Sequence, residues 1–462
     1  MAMDPAAAKQ QELMRDTLRR FVRRGARASI VKLLAKVRPE DVAAILQSLT
    51  PAERLEVFRV LVQEYPEASG DVLTELETHQ RNELLERVGA EEVARILTRV
   101  PVDDAVYVIE DLAEGYKEEV LRFVGRQGHT AVEAQLTYGE DTAGRVMTRE
   151  LFALPAATTV REAIAAIQEH RDVELIFYLY VVDEQGTLVG VTSLRQVLLA
   201  PPGHTLGQIA QRDVITARTD TDQEVVAQLA ARYDLLAIPV VDEDGRLAGI
   251  VTVDDIMDIV KEEATEDFLR MVGSSEEEIA FPERSLRVAR IRFPWLLLNM
   301  LGALGTGVLL ERFQVSLKEA LFLLTFVPAI MATGGNLGSQ TATIAVRGLA
   351  TGRIGQGDHW VRRFLWQQAK VGTVLGCSLA LLVAAGTLLL QQNPWYAVVV
   401  GGAMLVAMLI AAVIGAVIPL GFNRLGIDPA VAAGPLVTTS SDVTGIVIYF
   451  GFASLLIRYL VH

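Results

Sequence analysis

Asp442 is a carboxylate set in a run of apolar residues long enough to cross a bilayer. Residues 429–460 are otherwise almost uncharged, and nothing nearby in sequence can pair with Asp442. A carboxylate at that depth is costly, which points to an ion path or a relay. The competing reading is an Asp held by hydroxyls, since Thr438, Thr439, Ser440, Ser441 and Thr444 all lie close by in sequence. A second oxygen-rich run, Pro328-Ala-Ile-Met-Ala-Thr-Gly-Gly-Asn-Leu-Gly-Ser-Gln-Thr-Ala-Thr343, adds Asn336, Gln340 and further hydroxyls. Pro328 and the glycines are expected to weaken a helix in mid-membrane. Carbonyls freed there are tolerated only where they face protein or a water-filled path. The alternative is packing, because Gly334, Gly335 and Gly338 would let another helix approach closely. An all-oxygen set without Cys or His suits Mg²⁺ or Ca²⁺. Mg²⁺ gives up water reluctantly, so a mostly hydrated ion held by one Asp per subunit is expected. Asp428 opens the last apolar segment, fourteen residues before Asp442. That is about 21 Å along a helix, which places Asp428 near the cytosolic mouth.

The charge distribution divides the chain. Residues 287–462 hold 12 Lys/Arg and 5 Asp/Glu, a net of +7, while residues 1–286 hold 31 and 52, a net of −21. The acidic part is a poor surface for nucleic acid and a good one for cations. The lone Cys377 can form no internal disulfide, which fits a reducing cytosol for the soluble part. The first 27 residues are charged and lack an apolar core, so no secretory signal is expected there.

Three kinds of element must position these groups. Residues 1–136 read as an acidic all-α domain, with apolar residues three and four apart, as in Val42, Ile45, Leu46, Leu49 and in Val93, Ile96, Leu97. Pro39-Glu-Asp-Val-Ala-Ala-Ile-Leu46 is echoed by Ala90-Glu-Glu-Val-Ala-Arg-Ile-Leu97, and more loosely by Val102-Asp-Asp-Ala-Val-Tyr-Val-Ile109. Stacked helix pairs in a small superhelix, or an irregular bundle, would both give this pattern.

Residues 137–262 hold a clearer repeat. Leu179-Tyr-Val-Val-Asp-Glu-Gln-Gly-Thr-Leu-Val-Gly-Val-Thr-Ser193 matches Ile238-Pro-Val-Val-Asp-Glu-Asp-Gly-Arg-Leu-Ala-Gly-Ile-Val-Thr252. Each copy reads strand, tight turn, strand, helix, with a further helix upstream. This α/β unit resembles a tandem pair of CBS domains, which implies a regulatory module for adenine nucleotides or metal ions. The acid expected after the second strand is Asp254 or Asp255, and Arg195 takes that place in the first copy.

Residues 263–286 read as a linker. Glu262, Glu263, Glu266 and Asp267 lie on an amphipathic helix with Phe268, Leu269, Met271 and Val272, and Ser274 to Glu278 read as a loop. Such acids are usually a solvated face. Residues 287–462 then form an α-helical membrane domain of five apolar segments, at 288–310, 317–346, 364–390, 395–421 and 429–459. Arg287, Arg290, Arg292, Arg347, Arg353, Arg362, Arg363, Lys370 and Arg424 fall on one side, and Arg312, Lys318 and Arg458 on the other. The basic excess puts the N-terminal domains in the cytosol and the C-terminus outside. Trp295, Trp360, Trp366 and Trp395 fall near the predicted interfaces. A five-segment unit has no internal symmetry of its own, which hints at a dimer.

The whole chain resembles the MgtE family of magnesium channels. The most specific motifs are Thr333-Gly-Gly-Asn-Leu-Gly-Ser-Gln340 and Ser441-Asp-Val-Thr-Gly445. The resemblance implies a plasma (inner) membrane homodimer with its pore on the dimer axis and Asp442 as the selectivity carboxylate. It also implies that the linker is a plug helix, drawn closed when cytosolic Mg²⁺ bridges acids around it. By motif position the metal-binding residues would be Asp103, Glu224, Asp234, Asp255, Asp258, Glu263, Glu266 and Asp267, with Asp442, Asp428 and Asn336 along the pore. An ATP site in the CBS pair would involve Tyr178, Arg195 and Asp254. The sequence departs from the family pattern at Tyr107 and Gln368, where acids are usual, at Gly434, where Asn is common, and at Leu235, where an aromatic stacks on the nucleotide.

A Mg²⁺ channel closed by cytosolic Mg²⁺ is therefore the leading reading. A membrane-anchored metal or nucleotide sensor would need neither Asp442 nor the glycine-rich second segment. An ion-coupled transporter of another divalent cation would normally carry more buried charge. A CBS-regulated chloride channel is disfavoured, because its pore would be lined with donors. No nucleophile–base or metal-ligand spacing of an enzyme is visible.

Overall fold

The computed structural model describes residues 5–124, 126–169, 177–275, 278, 285–316, 321–354, 357–391 and 393–456. Of the charges used above to orient the chain, Lys318 and Arg458 lie outside them, as do Glu276 and Glu277 of the loop. The chain divides into two compact units, residues 1–260 and 261–462.

The first unit begins with helices, several of which start at a proline: Pro39–Gln47, Pro51–Glu64 and Pro66–Thr74. Proline suits the first helical turn, where its missing N–H would have no intrahelical partner. Thr50 and Glu53 close a capping box, with the Glu53 N–H donating to Thr50 Oγ1 at 3.4 Å and the Thr50 N–H donating to Glu53 Oε2 at 3.2 Å. The echoed segments form equivalent helices that bury equivalent positions. These are Val42, Ile45 and Leu46 in the first, Val93, Ile96 and Leu97 in Ala90–Leu97, and Ala105, Val108 and Ile109 in Val102–Glu110. One shared core results, centred on residues such as Phe58, Val72, Leu85 and Ile109.

The α/β repeat follows as two three-stranded sheets of the same order. β1 (Ala153–Pro155) runs parallel to β2 (Tyr178–Val182), which pairs antiparallel with β3 (Leu188–Ser193). β4 (Ala217–Arg218), β5 (Ala237–Val241) and β6 (Leu247–Thr252) repeat the arrangement. The repeated Asp-x-x-Gly explains both hairpins. Asp183 Oδ1 accepts from the N–H groups of Gln185 and Thr187 at 2.9 and 2.8 Å, and Asp242 Oδ1 accepts from those of Asp244 and Arg246 at the same distances. Gly186 and Gly245 then take φ of +83° and +78°, a conformation that favours glycine. The two turns also pair with each other, Leu188 N–H to Gly245 O and Leu247 N–H to Gly186 O, both at 3.1 Å. The upstream helices are Val160–Glu169 and Gln223–Tyr233.

The linker helix is long and continuous with the helix that closes the second repeat. A single helix, Val253–Met271, follows β6 directly and carries Asp254 at its start and Arg270 at its end.

Among the described residues the second unit contains five helices long and apolar enough to cross a membrane: Ser285–Phe313, Phe322–Ala350, His359–Leu390, Pro394–Arg424 and Pro435–Leu455. Two expectations fail here. The Pro328 run does not break a helix: Val327–Ala350 is continuous, and Pro328 sits in its first turn, after a 3₁₀ turn at Leu321–Phe326. No carbonyls are freed in mid-helix, so packing is what the glycines serve. The last segment, by contrast, is not one helix. Gly434 separates Pro429–Ala433 from Pro435–Leu455, so the 21 Å helical measure between Asp428 and Asp442 does not apply. The fourth helix is the most enclosed, and its apolar residues, including Val399, Met404 and Met408, form a core with Ile330, Leu337, Ile446 and Tyr449.

Candidate functional site

Asp442 lies in the middle of Pro435–Leu455, against the second helix. Glycines on the second helix make the approach possible. A Cβ on Gly335 would lie 3.4 Å from Asp442 Oδ1, and one on Gly338 would lie 2.7 Å from Ser441 Oγ and 3.0 Å from Val437 Cγ1. On the fourth helix, a Cβ on Gly415 would lie 2.3 Å from the Gly338 carbonyl oxygen. The Thr-Gly-Gly-Asn-Leu-Gly motif is thus the flat side of a three-helix contact with the Asp442 carboxylate at its edge.

The hydroxyls around Asp442 do not hold it. Thr438 Oγ1 donates to the carbonyls of Pro435 and Gly434, and Thr439 Oγ1 donates to Asn299 Oδ1 at 3.0 Å. Thr333 Oγ1 donates to Ala329 O at 2.7 Å. Ser441 Oγ is buried without a partner. Among the described residues no hydrogen bond or ion pair engages the Asp442 carboxylate. Asn336 and Gln340 are exposed on the single chain, and neither hydrogen-bonds to it.

A second group of acids lies in the first unit. Asp103 and Asp104, in the first turn of Val102–Glu110, face Asp255, in the first turn of Val253–Met271. Burial raises the pKa of each carboxyl to about 7, and their mutual repulsion adds to it. Asp71, Asp254 and Glu150 contribute further negative charge to Asp104. Thr252 Oγ1 donates to Asp255 Oδ2 at 2.6 Å, whereas Asp103 Oδ1 is buried with no partner. That orphan oxygen, beside two other carboxyls, has the chemistry of a hard-cation ligand. Among the described residues no three His, Cys, Asp or Glu side chains are gathered tightly enough to hold a bare ion. A cation here would keep part of its water. Asp103 and Asp255 were expected at such a site. Asp104 was not, although it stands next to Asp103 in the same acidic turn.

Glu224 and Asp234 are not brought together. They lie in the first turn and at the C-cap of Gln223–Tyr233, ten residues or about 15 Å apart, too far to share an ion. Asp234 holds the left-handed conformation, φ +53°, that ends this helix. Asp258 and Asp254 are exposed on the next helix.

The end of Val253–Met271 forms a third group, within the second unit. Arg270 bonds both Glu266 and Asp428, and Asp428 Oδ1 accepts from the Ala430 N–H at 2.7 Å. Burial, followed by the charges of Asp428 and Glu263, raises the pKa of Asp267 to about 6, while Arg270 and Arg347 oppose the rise. Glu263, Glu266, Asp267 and Asp428 therefore share one neighbourhood, already partly neutralised by Arg270.

Each departure from the expected motif has a local partner. Tyr107 lies over the guanidinium of Arg81, 4.6 Å from it, and Arg81 is fully buried and ion-paired to Asp111. A Cβ on Gly434 would lie 2.1 Å from Met271 O, so a side chain there would collide with the end of the linker helix. Gln368 is buried, while Lys370 is exposed and extends over Trp366 at 5.5 Å, so the two do not act together. Leu235 packs into the core of the second repeat. Among the described residues no hydrogen bond or ion pair joins Tyr178 on β2, Arg195 after β3 and Asp254.

Comparison with known proteins gives a consistent picture. A family model described as a divalent cation transporter matches residues 327–452, one for an MgtE intracellular N domain matches 37–141, and the CBS domain matches 143–203 and 206–262. A magnesium transporter of Thermus thermophilus is 35% identical over 97% of this chain and 99% of its own length. One from Bacillus subtilis is 31% identical over 93% and 97%. The crystal structure of the cytosolic domain of an Mg²⁺ channel in complex with ATP superposes with a TM-score of 0.50 at 34% identity, covering 53% of this chain and 99% of that one.

Proposed function

Because this chain belongs to the MgtE family of magnesium transporters, membrane proteins and not enzymes, we propose that it is a channel-type route for Mg²⁺ entry, closed by cytosolic Mg²⁺. The observation that carries the conduction reading is the Asp442 carboxylate, set against a glycine face with no hydrogen bond or ion pair to it among the described residues, while Thr438 and Thr439 donate elsewhere. A carboxylate without a protein partner at that depth calls for a cation. One Asp per chain gives a divalent ion only half its counter-charge, so the pore is proposed to lie between two copies, with Asn336 and Asp428 along the same path. The protein would sit in the plasma (inner) membrane with its C-terminus outside. Uptake of Mg²⁺ into liposomes holding the pure protein tests this reading. Normal flux through a folded Asp442→Ala protein would sink it.

Closure is proposed to follow from the two acidic groups. Mg²⁺ at Asp103, Asp104 and Asp255 would relieve their repulsion, and Glu263, Glu266, Asp267 and Asp428 would respond likewise at the end of the same helix. Glu224, Asp234 and Asp258 are proposed as outlying water-mediated ligands. Such control requires the closed state to bind the ions more tightly than the open one. Limited proteolysis against Mg²⁺ concentration checks it, since the reading predicts protection that rises with the ion. ATP at Tyr178, Arg195 and Asp254 is a further proposal, supported by the ATP complex of the related cytosolic domain and tested by nucleotide titration of the full chain.

A further inference from the structure

A groove of about 590 Å³ opens between the start of the third apolar helix and the C-terminal half of the fourth, at Val413. Its outer part is polar and basic, formed by His359, Arg362 and Arg363. Its inner part is apolar, formed by Leu365, Ala369 and Val413, with the Trp366 ring as a wall. The helical period gathers these groups. Residues 359, 362, 363, 366 and 370 follow steps of three and four, which puts them on one stripe. Lys370 extends the basic stripe over Trp366, and the Arg363 guanidinium lies 5.9 Å from the Trp360 ring. Among the residues whose side chains are described, which leaves out Asp358, no carboxylate lines the groove and no ion pair engages Arg362, Arg363 or Lys370. The two tryptophans are 49% and 66% exposed, an exposure expected of rings at the edge of a bilayer and not of rings in water.

The helix His359–Leu390 is long and apolar enough to cross a membrane, and its charges and tryptophans gather at its first turns, so the groove runs from the polar end of the helix towards its apolar stretch. From residue 359 to 369 the chain rises about 15 Å, the depth from headgroup layer to acyl chains. Charge therefore gives way to apolar surface along the same direction in which a phospholipid changes from phosphate to hydrocarbon. We propose that this groove is a binding site for an anionic phospholipid, with the phosphate held by Arg362, Arg363 and Lys370 and an acyl chain laid along Trp366, Ala369 and Val413. A free phosphate would leave the apolar floor unused. A zwitterionic lipid would leave the basic stripe without net counter-charge. A basic stripe that served only to orient the chain would need no groove.

The test uses the full chain in detergent, titrated with phosphatidylglycerol, phosphatidylcholine or inorganic phosphate. Retained lipid is counted by native mass spectrometry, and thermal stability is followed in parallel. The wild type is expected to prefer phosphatidylglycerol at least tenfold, and the triple variant Arg362→Gln/Arg363→Gln/Lys370→Gln is expected to lose that preference. A control, Arg290→Gln/Arg353→Gln, removes positive charge outside the groove and is expected to keep it. Preference retained in the triple variant overturns the site. So does equal loss in the control, which would mean charge alone, or displacement of the lipid by millimolar phosphate, which would mean an anion site. If the triple variant unfolds in detergent, Arg362→Gln and Trp366→Ala are read singly in the same assay, and unchanged preference in both overturns the proposal.

Discussion

Two settings for carboxylates divide this molecule. In the soluble unit the acids are crowded: burial raises the pKa of Asp103, Asp104 and Asp255 to about 7, their repulsion adds to the rise, and Asp71, Asp254 and Glu150 add to the field. In the membrane helices Asp442 has no charged partner among the described residues, with glycines beside it and the Thr438 and Thr439 hydroxyls donating elsewhere. The difference teaches what each arrangement can do. Crowded acids are held together against their own repulsion, so a cation or a proton changes how well they pack, and each acid contributes a fraction. A solitary acid has no such neighbours to move. It offers one fixed charge, and its removal leaves nothing in reserve.

The sharpest break of this comparison is therefore at Asp442. Asp442→Asn keeps the shape and removes the charge. A loss of only about 1.4 kcal/mol where the ion sheds water lowers a rate ~tenfold, so Mg²⁺ flux into liposomes is expected to fall by at least that factor in a protein that still folds. Wild-type flux would remove Asp442 from the pore. Next in size is the glycine contact that places this helix. In Gly415→Ala the new methyl would meet the Gly338 carbonyl at 2.3 Å. Overpacking of this kind costs about 1–3 kcal/mol, visible as a lowered melting temperature in detergent. Gly386→Ala, where nothing lies within 4 Å, is the matched control and should melt as the wild type does.

The parts legible from sequence were those fixed by local rules. The Asp-x-x-Gly turns dictated both hairpins, and the apolar runs dictated five long helices. The clusters were partly legible: Asp103 and Asp255 stood among eight acids that the family resemblance implied, and the fold places these two near each other. The misreadings came from position. Pro328 breaks a helix only in its interior, and here it occupies the first turn. The break lies instead at Gly434, where Gly-Pro is a turn signal that the apolar run around it obscured. The Gly338–Gly415 contact joins residues 77 apart in sequence, and nothing local announces it. Asp104 has the same local sequence as Asp103. Its place in the cluster comes from the distant Asp71 and Asp255 that the fold brings near, and Asp255 is shared with Asp103.

A smaller effect is expected from pH. The carboxyls of Asp103, Asp104 and Asp255 have folded pKa values near 7, above the ordinary carboxylate range. A raised pKa means the folded state binds protons more tightly than the unfolded one. The stability this contributes is complete below about pH 4 and is lost as pH rises through about 7. Without Mg²⁺ the soluble region should therefore become more protease-sensitive between pH 6 and 8. Mg²⁺ competes with those protons, so the concentration giving half-protection should fall over the same range. In Asp103→Asn/Asp104→Asn/Asp255→Asn both pH trends should flatten. Unchanged trends in the triple variant would place the response elsewhere.

The smallest expected effect lies at Tyr107, one turn beyond Asp103 and Asp104 and stacked on the buried Arg81. Tyr107→Leu removes a contact worth about 0.5–1 kcal/mol at a partly exposed site. It should lower the stability of the soluble region by that amount and leave the Mg²⁺ midpoint where it is, because no charge changes. Tyr107→Asp removes the same contact but adds an acid three and four residues after the existing pair. Side chains at that spacing interact by about 0.2–0.5 kcal/mol. The crowding should increase, and the Mg²⁺ midpoint for protection should fall by about twofold. The two variants thus separate packing from charge at one position. If Tyr107→Asp shifts the midpoint no more than Tyr107→Leu does, the crowded acids do not act as a cation-responsive group at this edge.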